Sequence, residues 1–441
     1  MRESAWIGID FGTSGCRVCA IDQNGNIIAQ TEQNLPAAPH PYPSPKQQSL
    51  YLFEALKRLV KQLPAVVIES ISIDATSGSV MLSDHQGNPL TEMLMYNDQR
   101  ASMASEKIAE KAPINSAASG PSSGLAKLLY FQLTLALPEK YYLLHQADWL
   151  AIQLGATPGI TDYNNALKSG FDVVANHWPS WLELITPMSV LPNVVAPGTV
   201  IGKLSEAVML KLGINQSAPP LIKAGTTDSL AAFIATGARR VGEGVTSLGS
   251  TLVLKLICKN PVFDAETGIY SHKLGNRWLC GGASNSGGAV LRHFFTDEQL
   301  ITLSQKIDLN QSAPDYYPLL TPGERFPVAD PNYPAKLLPR PAEDHLFLHG
   351  LLAGIASIEK TGYQYLQQLS ATPLTSIRSV GGGAKNPVWT KLRESLLQVP
   401  FETVEHTEAA YGSALLARDG LTLFQYGIEK WAILSKVRAI Y

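Results

Sequence analysis

The sequence predicts an α/β fold of two lobes, each a mixed sheet flanked by helices, with a cleft between them. Three observations predict it. The chain has 441 residues, and at ~150 residues per domain that is two or three domains. Its first part reads as strands, then a helix, then another strand, the pattern of a mixed layer fold. From about Leu221 it opens again in the same manner, with a strand, a Gly/Thr turn and an Asp. We place the division at 222/223. Residues 1–222 form the N-terminal lobe, and 223–441 form the C-terminal lobe, whose last helix is free to pack back on the first.

The opening is a meander. Trp6-Ile7-Gly8-Ile9-Asp10 reads as a short strand, Thr13-Ser14-Gly15 as a tight turn, 17–22 as a second strand and Ile27-Ile28-Ala29 as the start of a third. Asn24-Gly25 between apolar runs is a strong hairpin signal. Residues 36–45 carry five prolines and read as loop. Ser49 is expected to cap a helix on which Leu52, Leu56, Leu59 and Leu63 recur at helical spacing, and 66–73 is a buried strand. In the second half, 221–225 is strand-like and runs through Thr226-Thr227-Asp228 into a helix of small residues over 229–236. Residues 244–257 and 277–282 again read as strands joined by turns.

Charged residues make up 16% and hydrophobic ones 45%, against a usual charged share of ~25%. That excludes a disordered chain. Lys plus Arg number 35 and Asp plus Glu 37, for a formal charge of -2, so no global positive field draws in nucleic acid or an anionic membrane. The start of the chain lacks the apolar run of a secretory signal, and no stretch approaches the ~20 apolar residues of a membrane span. Four cysteines make no disulfide scaffold. The expectation is a cytoplasmic protein with a small-molecule substrate, no nucleic-acid or membrane partner, and an open oligomeric state. Cys16 and Cys19 form a C-x-x-C, but residues three apart on a strand face opposite ways, and Cys258 and Cys280 stand isolated in the sequence. We assign no thiol or histidine metal site.

Four segments carry chemistry. In Gly8-Ile9-Asp10-Phe11-Gly12-Thr13-Ser14-Gly15-Cys16-Arg17, glycines at a strand end let backbone N–H groups approach an anion. Thr13 and Ser14 add hydroxyls, and Asp10 adds a carboxylate suited to a hydrated divalent cation. An ordinary hairpin with Gly at positive φ is the competing reading. In Gly225-Thr226-Thr227-Asp228, Asp228 is either a helix cap or a cleft-facing carboxylate. Residues 242–251 superficially fit a Walker spacing, but Ser250 stands where that motif needs Lys. The turn Gly249-Ser250-Thr251 is still able to hold phosphate through amides and hydroxyls. In Gly381-Gly382-Gly383-Ala384-Lys385-Asn386-Pro387, the glycines allow a planar ring to approach and Asn386 offers a donor and an acceptor. A flexible loop is the alternative there.

In combination and order these segments resemble the FGGY family of carbohydrate kinases, within the actin-like ATPase superfamily, over nearly the whole chain. Further similar stretches are Gln146–Leu150 with Leu154-Gly155, 162–172, and the helix around His349–Ile355. The resemblance extends most closely to the short cyanobacterial and plant sugar kinases considered D-ribulose kinases. It implies two actin-like (ribonuclease H-like) lobes, with ATP and Mg²⁺ as cofactors. Two departures stand out. The chain is short for the family, and the family's Trp-x-Asp-x-Arg motif appears as Tyr96-Asn97-Asp98-Gln99-Arg100.

What the resemblance implies is an ATP-dependent phosphorylation of a sugar hydroxyl, with D-ribulose giving D-ribulose 5-phosphate. Asp228 would be the general base, and Asp10 would hold Mg²⁺ through water. Gly12, Thr13, Gly249, Ser250 and Thr251 would cradle the phosphates, and Gly382, Gly383, Ala384 and Asn386 would border the adenine. On the sugar side stand Asp10, Ser14, Gly15, Arg17, Ser77 and Asp228, with Asp98, Arg100 and Asp148 as weaker candidates. A xylulose or glycerol kinase is the alternative within this class. A sugar-independent actin-fold ATPase or a sugar sensor is the alternative outside it.

Overall fold

The structure, a computed structural model, describes residues 3–36, 42–63, 65–114 and 116–424. Half of the proline-rich loop expected over 36–45, residues 37–41, lies outside the described residues. The chain divides into two compact units: one runs through Gly237 and resumes at His406, and the other spans Ala238–Glu405.

The first unit opens with strands β1 (Ser4–Phe11), β2 (Gly15–Ile21) and β3 (Ile27–Asn34), paired antiparallel as the meander requires. Helix α1 (Pro45–Gln62) starts earlier than Ser49. Ser44 is the cap, accepting from the Gln47 amide, while the Gln47 side chain accepts from the Ser44 amide. Pro45 occupies the first turn, where its missing N–H has no partner to lose. The helix buries Leu52, Leu56 and Leu59 against Ile7, Ile9 and Ile71 of the sheet.

Strand β4 (Val67–Ala75) then pairs parallel with β1. β5 (Val80–Ser83), helices α2 (Ser102–Ala109) and α3 (Gly124–Thr134) and β6 (Tyr142–His145) build a second small core around Val80, Leu82, Leu125, Leu128 and Leu143. Helix α4 (Gln146–Leu154), β7 (Ile160–Asp162), helix α5 (Tyr163–Leu167), β8 (Asn193–Val195), β9 (Val200–Lys203) and helix α6 (Glu206–Leu212) follow. β10 (Leu221–Thr227) pairs parallel with β4 and runs into helix α7 (Asp228–Ala235). The sheet order is β3-β2-β1-β4-β10-β9. The division expected at 222/223 therefore cuts through β10, whose ladder with β4 and β9 keeps it in the first unit.

The second unit repeats this plan. β11 (Glu243–Leu248), β12 (Leu252–Cys258), β13 (Tyr270–Leu274) and β14 (Arg277–Ser284) form antiparallel ladders, interrupted by no helix. After helices α8 (Gly288–Phe294) and α9 (Asp297–Ser304), the 27-residue α10 (Asp344–Ser370) leads into β15 (Ser376–Val380), parallel to β11. Helix α11 (Pro387–Leu397) connects to β16 (Phe401–Glu402), parallel to β15. The order is β13-β14-β12-β11-β15-β16. Under this sheet the fully buried guanidinium of Arg393 on α11 donates to both Glu359 oxygens on α10, at 2.6 and 2.7 Å, and to Ser379 of β15. Cys258 and Cys280 are not isolated: Leu256, two residues before Cys258, is paired with Cys280 across the β12–β14 ladder. A hydrogen bond from the Cys280 thiol holds Cys258 below the ordinary thiol range.

The chain then returns to the first unit as helix α12 (Ala409–Asp419). It comes so close to β1 that a Cβ on Gly8 would lie 2.0 Å from the Ala410 carbonyl oxygen. Among the described residues no helix is long and apolar enough to cross a membrane.

Candidate active site

Three neighbouring parallel strands of the first unit, β1, β4 and β10, end on carboxylates: Asp10, Asp74 and, one residue past β10, Asp228. The carboxyl ends of parallel strands are where open α/β sheets bind ligands. Asp10 and Asp74 are direct register partners. Burial, with the charge of Asp228, pushes Asp10 up to about 6, against the pull of Arg17. Asp74 is fully buried and accepts from the Ser413 hydroxyl of α12 at 2.5 Å. Its second oxygen has no donor. Burial and the charge of Asp10 hold it well above the ordinary carboxyl range, which favours its protonated form beside Asp10.

Sequence reasoning missed Asp74. In Ile71-Ser72-Ile73-Asp74-Ala75 it looks like the end of a buried strand, and only the parallel pairing with β1 sets it beside Asp10.

Asp228 occupies the first turn of α7 and accepts from the Ser229 amide at 2.6 Å. Gly225 belongs to β10 and not to a turn. A Cβ there would lie 1.6 Å from the Ile73 carbonyl oxygen, so the glycine serves strand packing. Arg17, opposite Asp10 on β2, has its guanidinium among three carboxylates: Asp10 at 3.5 Å, Glu32 at 2.9 Å and Glu408 at 4.0 Å. That makes it the counter-ion of Asp10. Gly15 is a buried strand residue against β3. Thr13 and Ser14 are exposed at the turn, and the Gly12 amide donates across it to the Gly15 carbonyl. Neither Gly12 nor Gly15 has positive φ, which removes that conformational reason for glycine.

Ser77 follows β4 in a turn whose neighbours are tied down. The Thr76 hydroxyl contacts Ser79 at 2.6 Å and donates to Gln146, while Gly78 has φ +84°. The Ser77 hydroxyl is buried with no partner among the described residues, as is that of Thr227. Asp98 and Arg100 pair with each other and, through Arg100, with Glu92 on an exposed surface. Asp148 is buried against the His145 ring at 3.1 Å.

In the second unit the turn between β11 and β12 opens on a cavity of about 510 Å³. Gly249, Gly382, Gly383 and Asn386 line it, whereas Ser250, Thr251 and Ala384 do not. Its walls are Leu248, Leu291, Leu300, Ile301, Leu352 and Trp389, and Arg292 and Lys385 bring cationic groups that the sequence reading had not assigned. Gly381 is held at φ +87°, its Cβ position 2.7 Å from the Leu248 carbonyl oxygen. The Asn386 amide is already engaged. Its oxygen caps α11 through the Val388 and Trp389 amides, and its nitrogen donates to Ser304. Asn386 therefore shapes the wall with its oxygen and one of its two N–H donors committed to the protein.

Two glycines are not required by packing. A Cβ on Gly12 would meet nothing nearer than 3.7 Å, and the same holds for Gly249. Both sit in the first hairpin turn of their sheets, with room for an anion at the backbone amides.

Residues 5–235 match the FGGY family of carbohydrate kinases, N-terminal domain, and residues 244–418 match the C-terminal domain of that family. The chain is 23% identical over 464 residues to the gluconokinase of Bacillus subtilis (strain 168), covering 96% of this chain and 88% of that one. It is 23% identical over 456 residues to a xylulose kinase of Staphylococcus epidermidis, covering 96% and 90%. Among solved structures, Plasmodium falciparum glycerol kinase with ADP superposes with a TM-score of 0.82 at 17% identity, covering 98% of this chain and 92% of that one. At that identity the likeness is one of fold.

Proposed function

The chain belongs to the FGGY family of carbohydrate kinases and is a sugar kinase, and from that premise we propose that it phosphorylates a ketopentose with ATP in the cytoplasm. D-Ribulose is the acceptor suggested by the family resemblance, and D-xylulose the one suggested by the xylulose kinases among its relatives. The observation that carries the reading is the set of carboxylates at the ends of three neighbouring strands, beside the unpartnered Ser77 hydroxyl.

Asp228 takes the proton of the attacking hydroxyl, a role worth ~10²–10⁴ in rate. Ser77 and Ser14 orient the acceptor. Asp74 and Arg17 fix the Asp10 carboxylate from opposite sides, one through its proton and one through its charge. The donor set at Asp10 fits magnesium, a hard cation that prefers carboxylate and water oxygens. Mg²⁺, when bound, neutralises phosphate charge, and Asp10 would hold it through water. The residues fit a nucleotide as well. Thr13 on one turn, beside the open side of Gly12, and Gly249, Ser250 and Thr251 on the other offer amides and hydroxyls to phosphates. Gly382 and Gly383 leave a flat approach in an otherwise apolar cavity, with Ala384 packed behind them.

ADP release with Mg-ATP tests this, comparing no sugar, D-ribulose, D-xylulose, L-ribulose and glycerol. Strong stimulation by one ketopentose is expected and names the substrate. Release that no sugar stimulates would sink the reading in favour of an actin-fold ATPase.

A further inference from the structure

Two lysines flank the Ser77 turn, Lys127 buried and Lys168 half-buried, and they differ in their partners. Lys127 on α3 donates to the carbonyl oxygens of Gly78, Met95 and Ser122 at 2.6, 2.7 and 3.2 Å. An ammonium has three protons to donate, so Lys127 is satisfied by the protein and holds the turn. Lys168, just past α5, approaches the turn from another direction: a Cβ on Gly78 would lie 3.5 Å from its Cδ. Burial lowers its proton affinity and the charge of Asp228 restores part of it, which places the ammonium within electrostatic reach of that carboxylate. Among the described residues the Lys168 ammonium has no hydrogen-bond or ion-pair partner.

Its base is well anchored. Asp162 caps α5 through the Asn164 and Asn165 amides, and Asn164 donates to Thr226 of β10 at 3.4 Å. The Lys168 carbonyl accepts from the Gly124 amide. Half-buried on a fixed support, with its ammonium still reached by solvent, Lys168 is placed to give that ammonium to a ligand acceptor in exchange for water. The hydroxyls of Ser77 and Thr227, buried and unpartnered, stand on the elements that flank it.

We propose that Lys168 recognises the acceptor sugar, donating to a neutral carbonyl oxygen close to the hydroxyl that Asp228 deprotonates, and so selects ketoses. This rests on the sugar-kinase reading and names its substrate class. An ammonium needs an acceptor and gains most from an oxygen that only accepts. A carboxylate would serve the lysine better in isolation, but the charges of Asp228 and Asp10 border the same site and repel an anion. A pentitol has no carbonyl there. The neutral ketose is therefore favoured over both the aldonate and the polyol.

The test compares wild type with Lys168→Met, similar in length and uncharged. Acceptors are the preferred ketopentose, its pentitol and D-gluconate, read as kcat/KM, and ketose binding without nucleotide is followed by equilibrium dialysis. Wild type should favour the ketose over the other two. Lys168→Met should lower ketose kcat/KM roughly 10- to 100-fold, the loss of one charged hydrogen bond. Pentitol turnover and ADP affinity should stay within about threefold, far below that loss. An unchanged ketose-to-pentitol ratio, or a wild-type preference for gluconate, overturns the proposal. If Lys168→Met shows no cooperative melt, Lys168→Arg takes its place: a loss on ketose alone supports the proposal, and an equal loss on both acceptors overturns it. Dialysis separates the two levels. Ketose bound by wild type and lost in the variant supports the lysine even without phosphoryl transfer, and equal binding overturns it.

Discussion

The two units share one strand plan and differ in what stands at the strand ends. In the first, the parallel pair β1–β4 closes on Asp10 and Asp74, and β10 adds Asp228. In the second, the matching pair β11–β15 closes on Ser247 and Val380, and the ends open on an apolar cavity bordered by Arg292 and Lys385. The backbone solution is repeated, down to a glycine turn with a free Cβ position in each sheet. The side chains then divide the labour. Clustered carboxylates suit proton abstraction and metal binding, whereas an apolar slot with cationic edges suits a base and its phosphates. Fold alone would not assign those roles, because function lies in the groups grafted onto it.

The largest expected effect breaks the comparison on one side only. Asp228→Asn should lower kcat by ~10²–10⁴ while ADP affinity stays unchanged by calorimetry. Retained turnover would remove Asp228 as base.

A smaller effect sharpens the contrast in charge. Asp10 titrates at about 6 in the fold against 3.8 as an ordinary carboxyl. Because the folded value is raised, the stability contribution is full below 3.8 and is lost as pH rises through about 6. Asp10→Asn should therefore be more stable than wild type at pH ~7.5 by about 1–3 kcal/mol, with the gain shrinking towards pH ~4. Urea titrations at the two pH values decide it, and a gain that grows on acidification would contradict the assignment.

The smallest effect concerns the two turns. Gly12→Ala and Gly249→Ala should each leave stability within about 0.5 kcal/mol, since neither Cβ meets a close neighbour. Both should still weaken nucleotide binding. Loss of melting temperature without loss of affinity would mean that the glycines serve the fold.

Much of this was legible in the residues. The meander, Asp10 and the second opening near Leu221 follow from turn chemistry and apolar alternation, which are local. The start of α1 was also legible: Ser44-Pro45-Lys46-Gln47 is a capping box with proline in the first turn, a firmer signal than Ser49. What escaped depends on long-range pairing. Asp74 acquires meaning only beside β1, and Lys168 only beside Gly78 and Asp228. Cys258 and Cys280 meet only across a ladder. That the Asn386 oxygen and one of its N–H donors serve α11 and Ser304 is likewise visible only in the fold.

The return of α12 to the first unit bears on how the chain is made. Gly8 leaves β1 a groove that only α12 fills, and Ser413 of that helix holds Asp74. Both lie beyond the whole second unit in the order of synthesis. As the polypeptide leaves the ribosome, the first sheet must wait with one flank bare until residues 409–419 emerge. The second unit, contiguous from Ala238 to Glu405, is free to fold before the first is complete. The carboxylate site is then completed only after the second unit has emerged, when α12 docks.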